Sequence, residues 1–327
     1  MSKRRMPAEW ERQSAVQLTW PHKDTDWAPM LSEITVVYEQ MAREISKREG
    51  LIVVGQKGLQ NTDYGLPIDT NDTWARDHGF ITVVEEERGV ILQDFCFNGW
   101  GEKFPADLDN AINRQLHERG IVKGQYEPHL DFVLEGGSIE SDGQGTVFTT
   151  THCLMAPHRN QPLTQQQIEE RLKQYLGAER VVWINHGRLT GDDTDGHIDT
   201  LVRICPDDTI LYVGCDDPSD EQYPELLLME KELQALRTLD GRPYRLLKLP
   251  MPRPIYDGDN RLPATYANYL VVNGAVLYPT YGQPDLDREA CDIIQQAFPD
   301  REMVGIDCRP VIRQHGSLHC CTMQYYP

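Results

Sequence analysis

The feature that most constrains the fold of this chain is a polar motif that recurs at nearly even spacing. Asp77 and Glu135 are separated by 58 residues, Glu135 and His197 by 62, and His197 and Cys320 by 123, which is close to two steps. Asp257-Gly258-Asp259 falls near the omitted step. A fixed period of this length is typical of folds in which one supersecondary unit is repeated.

Each unit has the pattern of a β-hairpin, in which two short apolar segments flank a turn. The chain contains four such pairs, and in each of them a polar or glycine-rich motif comes just before the first segment. The predicted turns lie at Arg88-Gly89, Asp142-Gly143, Pro206-Asp207-Asp208 and Asn273-Gly274. The Asn-Gly pair is a strong sign of a tight hairpin turn.

Helical patterns alternate with these hairpins. Apolar residues at helical spacing predict five helices, which run from about Leu31 to Ile45, Leu108 to Leu116, Ile168 to Leu176, Leu227 to Leu236 and Leu286 to Ala297. Thr164 and Gln167 resemble a capping box before the third helix, and Gly177 follows its last periodic residue. Pro224 suits the first turn of the fourth helix.

A period with one hairpin and one helix per unit favours an α/β ring of about five units. Propeller-like rings place equivalent strand or loop ends around one central channel. The alternative is a two-layer α/β domain in which the spacing is accidental. This alternative stays open because no residue-level repeat is visible. The absence of Ser/Gly linkers predicts a single domain over residues 1–327.

The charge balance excludes some partners. The 32 Lys and Arg residues against 51 Asp and Glu give a net charge of −19, which would repel phosphates, so nucleic acid is not an expected partner. Apolar runs are of strand length, so no membrane segment is expected. No phosphate-binding loop, dinucleotide fingerprint or Gly-x-Ser-x-Gly elbow is present, which argues against nucleotide enzymes and serine hydrolases.

The eight cysteines are scattered and form no Cys-x-x-Cys pair, so neither a zinc ribbon nor a disulfide framework is expected. The basic residues at the N-terminus are followed by Trp10-Glu11-Arg12-Gln13 rather than by an apolar signal segment. Reduced thiols in the cytoplasm are therefore the expectation.

Cys320 is a candidate nucleophile near the C-terminus. A nucleophilic cysteine needs a stabilised thiolate and room for substrate, and Gly316 allows a close backbone approach. If this segment is a strand, His319 and Cys321 point away from Cys320 and are not its partners. The alternative is a buried structural thiol, which is the common role of an isolated cysteine.

His197 and Asp199, two residues apart at a predicted strand start, would share one face of the strand. Such a histidine can move protons while the carboxylate holds a cation. Asp192, Asp193 and Asp195 add carboxylates in the preceding loop. The alternative is a solvated acidic turn. A metal site is not expected, because no second histidine stands nearby at ligand spacing.

Trp74 and Asp77 could receive a planar cation, with the indole stacking on it and the carboxylate accepting its N–H groups. The alternative is a surface pair between Arg76 and Asp77 beside a core tryptophan. Glu135, before Gly136-Gly137, could orient a histidine, or could simply belong to a turn.

Four motifs together resemble one family. They are Asn71-Asp72-Thr73-Trp74-Ala75-Arg76-Asp77, Leu134-Glu135-Gly136-Gly137, Gly191-Asp192-Asp193-Thr194-Asp195-Gly196-His197-Ile198-Asp199 and Leu318-His319-Cys320. In this order they are similar to the agmatine deiminase and bacterial peptidylarginine deiminase family of guanidino-group-modifying enzymes. The resemblance extends from Pro7 to the C-terminus and implies a five-bladed α/β propeller.

The resemblance also implies roles for individual residues. Cys320 would be the nucleophile, His197 the general acid and base, and Asp77 and Asp199 the carboxylates that hold the guanidinium. Glu135 would bind substrate or orient His197. Trp74, Arg76 and Asp193 would line the substrate pocket, and no metal or organic cofactor would be needed.

This chain departs from many relatives at two places: Ser138 stands where an Asn is frequent, and His315-Gly316-Ser317 where Gly-Gly-Asn is frequent. Both departures lie beside the proposed machinery, so they bear on substrate choice and rate.

The leading functional hypothesis is hydrolysis of agmatine, a small dication suited to the acidic loop, to N-carbamoylputrescine and ammonia in polyamine biosynthesis. Deimination of free or peptidyl arginine is the second hypothesis, and amidino transfer to an amine is the third. A polyamine-binding ring without catalysis is the non-enzymatic alternative, which the complete set of Cys, His, Asp and Glu residues disfavours. A homodimer is left open.

Overall fold

The structure is a computed structural model that describes residues 4–55 and 65–327. It contains one arrangement five times: an antiparallel hairpin, a helix, and a third strand that runs parallel to the second hairpin strand. We number these repeats one to five by the position of their first strand. The five three-strand cores lie in separate sheets with the same strand order.

The strands of the five repeats have the following bounds. The first strands are Ile81–Glu85, Ile139–Ser141, Val202–Cys205, Leu270–Val272 and Thr322–Tyr325. The second strands are Gly89–Cys96, Thr146–Thr150, Thr209–Val213, Ala275–Thr280 and Ala15–Thr19. The third strands are Gln125–Val133, Arg180–Ile184, Arg245–Leu249, Glu302–Asp307 and Gly50–Gly55.

The five predicted helices are confirmed, one in each repeat. They are Ile112–Glu118, Gln165–Leu176, Tyr223–Ala235, Pro284–Ala297 and Leu31–Ser46. The capping box of Thr164 and Gln167 is formed, and Gly177 ends that helix with φ at +68°. In the fifth repeat the buried residues of the helix are those of the predicted periodic face, because that face packs against the sheet.

The two ends of the chain close the ring. The first strand of the fifth repeat comes from the C-terminus and pairs antiparallel with Ala15–Thr19, with Thr322 opposite Leu18 and Tyr325 opposite Ala15. The helix and third strand of that repeat then follow from the N-terminal side. The predicted five-bladed α/β propeller is confirmed, and a two-layer domain around one continuous sheet is excluded.

Smaller elements complete the fold. Additional strands are Arg4–Arg5 and Gly65–Pro67 at sheet edges, and a separate ribbon of Tyr256–Asp257 and Asn260–Arg261. Short helical turns are Ala28–Met30, Ala75–His78, Gly99–Glu102, Asp109–Ala111, Gly136–Ser138, Thr151–Leu154, Ile198–Thr200, Arg309–Ile312 and His319–Cys321. Within 4–55 and 65–327, no helix combines the length and the apolar character that crossing a bilayer requires.

Four of these short turns meet one another and position the site. Ala75–His78 contacts both His319–Cys321 and Gly136–Ser138, and Gly136–Ser138 contacts Ile198–Thr200. Each of these turns directly precedes the first strand of its repeat. The equivalent ends of different repeats therefore converge, as the ring predicts.

Candidate active site

Polar side chains from all five repeats converge at this point of the ring. They are Asp77 from the first repeat, Glu135 from the second, His197 and Asp199 from the third, Asn268 from the fourth and Cys320 from the fifth. Every member of this set is buried. The near-even sequence spacing thus has a structural cause, because each repeat delivers its polar residue just before its first strand.

The local backbone differs from the strands that the sequence predicts. Cys320 lies in the helical turn His319–Cys321, and Asp199 lies in the turn Ile198–Thr200. The expectation that His197 and Asp199 share a strand face is therefore wrong, and the segment around Cys320 is not the strand that would point His319 and Cys321 away from it. A strand would point consecutive side chains to opposite faces, whereas in a helical turn their directions differ by a smaller angle.

Cys320 contacts an amide that completes the set. The side-chain carbonyl of Asn268 accepts from the backbone N–H of Cys320 at 3.3 Å and lies 3.4 Å from its Sγ. Burial raises the pKa of the Cys320 thiol well above its ordinary value, and the nearby Asp199 and Asp77 add to this effect. Burial and the two carboxylates thus favour the protonated thiol.

Asp77 is held by two donors. The indole N–H of Trp100 donates to Oδ2 at 2.9 Å, and the backbone N–H of Gly137 donates to Oδ1 at 3.1 Å. Burial raises the pKa of Asp77 to about 6, and Asp199 and Glu135 add to the rise while His197 opposes it. A carboxylate in this environment lacks a full counter-charge and favours a cationic ligand.

Asp199 has one oxygen engaged and one free. Its Oδ2 lies 2.7 Å from Nδ1 of His319, whereas the buried Oδ1 finds no hydrogen-bond partner among the described residues. Burial opposes ionisation of Asp199, but the hydrogen bond and charge of His319 outweigh it and lower the pKa of the carboxyl. Asp199 is therefore an ionised acceptor with a free lone-pair face.

His197 lies between two carboxylates. Its Nδ1 is 3.6 Å from Asp77 and its Nε2 is 3.7 Å from Glu135, distances too long for hydrogen bonds. Burial disfavours the charged ring, but Asp77, Cys153 and Glu135 outweigh it and raise the pKa of His197 well above its ordinary value. The ring is therefore a charged proton donor.

Arg159 holds Glu135 from the other side. Its Nε lies 2.9 Å from Oε1 of Glu135, and its remaining nitrogens reach Asp195 and the carbonyl of Thr194, each at 3.1 Å. Burial opposes ionisation of Glu135, but His197 and Arg159 outweigh it and lower its pKa. Arg159 thereby ties Glu135 to the loop that leads into His197.

A cavity of about 210 Å³ opens onto Cys320. Aromatic rings and carboxylates dominate its lining, and none of the described lining residues is Lys or Arg. They are Asp26, Asp72, Trp74, Asp77, Trp100, Phe104, Asp193, Thr194, Gln314, His315, Gly316 and Cys320. Burial raises the pKa of Asp72 to about 7 and also raises that of Asp193. This pocket can bind a cationic ligand that also has an apolar segment.

Two glycines allow the close packing of the site. A Cβ on Gly137 would come within 2.6 Å of Nδ1 of His197 and 2.9 Å of Oδ1 of Asp77. A Cβ on Gly316 would come within 2.1 Å of Cζ3 of Trp74. The backbone must therefore pass without a side chain at both positions.

Comparison with known proteins places this architecture in a family. A model of the Porphyromonas-type peptidyl-arginine deiminase family matches residues 5–326. The chain belongs to this family. The likeness indicated by the four sequence motifs is thereby confirmed.

Individual relatives cover nearly the whole of this deiminase-family chain. Agmatine deiminase from Pseudomonas aeruginosa is 32% identical over an alignment of 352 positions, which covers 98% of this chain and 95% of the relative. A Porphyromonas gingivalis protein proposed to be an arginine deiminase is 52% identical, with a TM-score of 0.93 and coverage of 99% and 98%. A cysteine-to-serine variant of C. jejuni agmatine deiminase with substrate bound is 36% identical, with a TM-score of 0.92 and coverage of 100% and 97%.

Most of the predicted site residues of this family member surround the pocket or lie behind it, but Arg76 does not. Arg76 borders a separate small cavity that Glu9 and Glu140 also line, and its NH1 contacts the sulfur of Met323 at 3.7 Å. The expectation that Arg76 contacts substrate does not fit this position. Its neighbour Asp77 faces the pocket because the helical turn directs consecutive side chains to different sides.

The acidic loop of this deiminase is less available than its sequence indicates. Asp195 pairs with Lys103 at 2.8 Å and with Arg159, and Asp192 accepts hydrogen bonds from Thr194 and Gly196 within the loop. Only Asp193 of the three lines the pocket. The loop contributes one carboxylate to the site rather than three.

The residues that depart from the common family pattern form local hydrogen bonds. The Ser138 hydroxyl donates to the carbonyl of Glu135 at 2.6 Å. The Ser317 and Tyr281 hydroxyls lie 2.9 Å apart, and Nδ1 of His315 lies 2.7 Å from the carbonyl of Gly191. Of these residues only His315 lines the pocket, so it is the departure that bears on substrate choice.

Among residues 4–55 and 65–327, two groups of donor atoms have the spacing of metal ligands, but an arginine side chain lies beside each of them. Glu135, Cys153 and His197 bring one donor atom each within 4.8 Å, next to the Arg159 guanidinium. A second group, Glu9, Glu140 and His319, is joined by Arg203. Neither group supports a metal or cofactor site on these grounds.

Sequence reasoning missed Asn268, Trp100 and Arg159. Asn268 precedes the first strand of the fourth repeat by the same interval as Cys320 precedes that of the fifth, so hairpin alignment would have found it. Asp257 instead lies in the exposed ribbon, so the expectation that its motif marks the omitted step is wrong. Trp100 stands between Gly99 and Gly101 and has φ at +58°. The two flanking glycines are the one feature of the sequence that indicates an unusual backbone at this position.

Proposed function

We propose that this protein hydrolyses the guanidinium group of agmatine, giving N-carbamoylputrescine and ammonia. One observation carries the proposal: Asp77 and Cys320 line a pocket whose described lining contains no Lys or Arg, and Asp199, which has an unpaired oxygen, lies close to Cys320. The planar guanidinium of agmatine fits this environment, because carboxylates accept its N–H groups in pairs. The five repeats act as one catalytic domain, since each supplies a residue.

The pocket suits the rest of agmatine as well. Trp74, Trp100 and Phe104 offer apolar surface for a methylene chain, and Asp72 and Asp193 offer carboxylates for a distal ammonium. Both carboxyls have raised pKa values, to about 7 for Asp72, and a bound cation would lower them again. Binding a dication therefore relieves like-charge repulsion that the free pocket carries.

The first chemical step is attack by Cys320. The seated guanidinium brings positive charge beside a thiol whose pKa is raised by burial, Asp199 and Asp77, and so favours the thiolate, with the thiol proton passing to solvent. The sulfur forms a bond to the guanidinium carbon, whose electrons move onto nitrogen. His197, charged between Asp77 and Glu135, donates its proton to the departing nitrogen, and ammonia leaves a covalent thiouronium group on Cys320.

Hydrolysis completes the cycle. His197, now neutral, takes a proton from a water molecule that attacks the same carbon. The carbon–sulfur bond breaks, the urea oxygen comes from water, and the second water proton passes to the Cys320 thiolate, which restores the thiol. Glu135, fixed by Arg159, keeps the ring of His197 oriented through both steps.

Relatives support this chemistry. The C. jejuni agmatine deiminase variant with substrate bound carries serine in place of a cysteine, as expected when a cysteine is the nucleophile. We also propose a cytoplasmic location, because the eight cysteines all carry free thiols.

Free or peptidyl arginine is the second candidate, favoured by the family's description and by the 52% identical Porphyromonas gingivalis protein. An α-carboxylate would need a cation at the pocket. Arg309 pairs with Asp307 at 2.6 Å, and Arg313 lies 3.5 Å from Glu33, so these two arginines are engaged elsewhere. Agmatine remains the better match to the described pocket.

A substrate panel tests the assignment. Agmatine, butylguanidine, free arginine and a peptidyl arginine are compared by ammonia release and by detection of the ureido product. We expect kcat/KM for agmatine to exceed that for arginine at least tenfold, a difference of about 1.4 kcal/mol, and butylguanidine to fall between them. Equal rates for agmatine and arginine, or faster turnover of the peptide, would overturn the agmatine assignment.

A further inference from the structure

A second group of buried charges lies directly behind the pocket. This buried ion network consists of Glu9, Glu140, Arg203 and His319. Arg203 pairs with Glu140 at 2.6 Å and with Glu9 at 2.8 Å, and its guanidinium lies 4.3 Å from the ring centroid of Tyr269. Nothing in the proposed reaction uses this network.

His319 connects the network to the site. Its Nδ1 lies 2.7 Å from Oδ2 of Asp199 and its Nε2 lies 2.8 Å from Oε2 of Glu9. An ionised carboxylate only accepts hydrogen bonds, so both ring nitrogens must donate. The ring is therefore clamped between two carboxylates, with NH2 of Arg203 3.2 Å from the same Nε2.

The carboxylates are themselves fixed. The backbone N–H of Val271 donates to Oε1 of Glu9 at 2.8 Å, and NH2 of Arg203 reaches the same Oε2 that faces His319. Glu9 thus ties the third, fourth and fifth repeats together through Arg203, Val271 and His319. It cannot rotate away from His319 without breaking these bonds.

We propose that His319 is a positioning residue that acts through Asp199: it fixes the carboxylate so that the unpaired Oδ1 faces the substrate guanidinium, and its charge keeps that carboxylate ionised. Glu9 holds His319 in this state. The inference rests on the proposed function, because it assigns Asp199 to a cationic guanidino ligand.

The electrostatics of the surroundings agree with this role. The charged groups that face His319 are Asp199, Glu9, Arg203 and Glu140. Burial opposes ionisation of Glu9, but His319 and Arg203 outweigh it and lower its pKa. The same balance lowers the pKa of Asp199 through His319. Both carboxylates are thus ionised, as the double donation requires.

Two alkylating reagents test the positioning role of His319 through a reaction of Cys320 that does not require catalytic turnover. Chloroacetamidine is a small amidinium that needs the carboxylates to reach Cys320, whereas chloroacetamide has nearly the same shape and no charge. The ratio of their alkylation rates at Cys320, followed by mass spectrometry, reports cation recognition. We expect His319→Gln to lower this ratio about tenfold, the effect of losing a charge-assisted hydrogen bond.

The pH dependence separates positioning from folding. Without the imidazolium, the Asp199 carboxyl keeps its proton to higher pH, so the acid limb of amidine alkylation should move up by about one pH unit. Glu9→Gln should move the same limb with a smaller loss of rate, because a neutral His319 can still donate from Nδ1 to Asp199. The matched control is His129→Gln, a histidine paired at 3.1 Å with Glu127 and remote from the pocket, which should change neither quantity.

The possible outcomes are distinct. An unchanged ratio and acid limb in a folded His319→Gln protein would overturn the role, even if the melting temperature fell. If that variant does not fold, an unchanged acid limb in Glu9→Gln would overturn it. Wild type that alkylates preferentially with the amidine but releases no ammonia from agmatine would contradict the proposed function and leave the role of His319 standing.

Discussion

The center of this propeller contains two buried charge clusters that touch but differ in how well their polar groups are paired. In the buried ion network, Arg203 donates to both Glu9 and Glu140, and His319 donates to Glu9. In the pocket cluster of Asp77, His197, Asp199 and Cys320, both ring nitrogens of His197 and Oδ1 of Asp199 lack hydrogen-bond partners among the described residues. One cluster is complete within the protein and the other is not.

The pKa values of Glu9 and Asp77 illustrate this difference, whereas burial raises the pKa of Glu140 inside the network and His319 lowers that of Asp199 in the pocket cluster. Ion pairing lowers the pKa of Glu9 in spite of its burial, whereas burial raises the pKa of Asp77 to about 6. An unpaired buried charge destabilises a fold unless a ligand compensates it. The comparison teaches that burial alone does not identify a site; incomplete pairing next to a cavity does.

The largest effect we expect comes from the pocket nucleophile. Cys320→Ser should abolish turnover, because an alcohol near neutral pH is a far weaker nucleophile than a thiolate. The adjacent Cys321 is the matched control: it is buried in the core and its thiol donates to the carbonyl of Ser317 at 3.4 Å. Cys321→Ser should keep most activity. A covalent adduct found by mass spectrometry on Cys321 instead of Cys320 would refute the assignment.

Removing the unpaired histidine should have the next largest effect. His197→Ala should lower kcat by about 10²–10⁴-fold, the contribution of a positioned general acid and base. Steady-state kinetics with agmatine measures it, and circular dichroism checks the fold. A His197→Ala protein with wild-type kcat would exclude proton transfer by this residue.

Much of the fold could be predicted from the sequence, because local patterns determine its units. Hairpin turns such as Asn273-Gly274, the five helices and the capping box at Thr164 are all local signals, although the buried face of Tyr223–Ala235 is formed by Leu226, Met229 and Leu233 rather than by the predicted leucines. Ring closure could only be inferred from spacing, since the pairing of Thr322 with Leu18 joins residues from opposite ends of the chain. Long-range pairing of this kind leaves no local pattern.

The pocket cluster was predicted residue by residue through its motifs, whereas the ion network was not. Glu9 and Arg203 stand 194 positions apart, and a buried ion pair has no sequence signature. His319 was excluded as a partner of Cys320 on the assumption of a strand. The helical turn His319–Cys321 changes its direction, so that it serves Asp199 instead.

Breaking the complete cluster should reduce stability. Arg203→Met leaves Glu9 and Glu140 buried without their shared cation, and the expected loss is about 3–5 kcal/mol of unfolding free energy. Chemical denaturation measures it. Arg114, which pairs with Glu118 on an exposed helix face at 3.1 Å, is the control, and Arg114→Met should change the denaturation midpoint little. Equal losses in the two variants would mean that the network contributes no more than a surface pair.

The smallest effect that we expect concerns Asp77, which belongs to the incompletely paired pocket cluster. Asp77→Asn should lower kcat/KM by an amount that corresponds to about 1.5–3 kcal/mol of transition-state stabilisation, since one charged acceptor for the guanidinium is lost. The pKa of Asp77 in the folded protein, about 6, lies above its ordinary 3.8, so the folded state binds the extra proton between these values. Wild type should therefore gain stability relative to Asp77→Asn as pH falls from about 6 to 4, whereas its kcat/KM falls as the carboxylate is protonated. Melting temperatures and rates across this range measure both trends, and a stability difference that stays constant with pH would show that burial does not raise the pKa of Asp77.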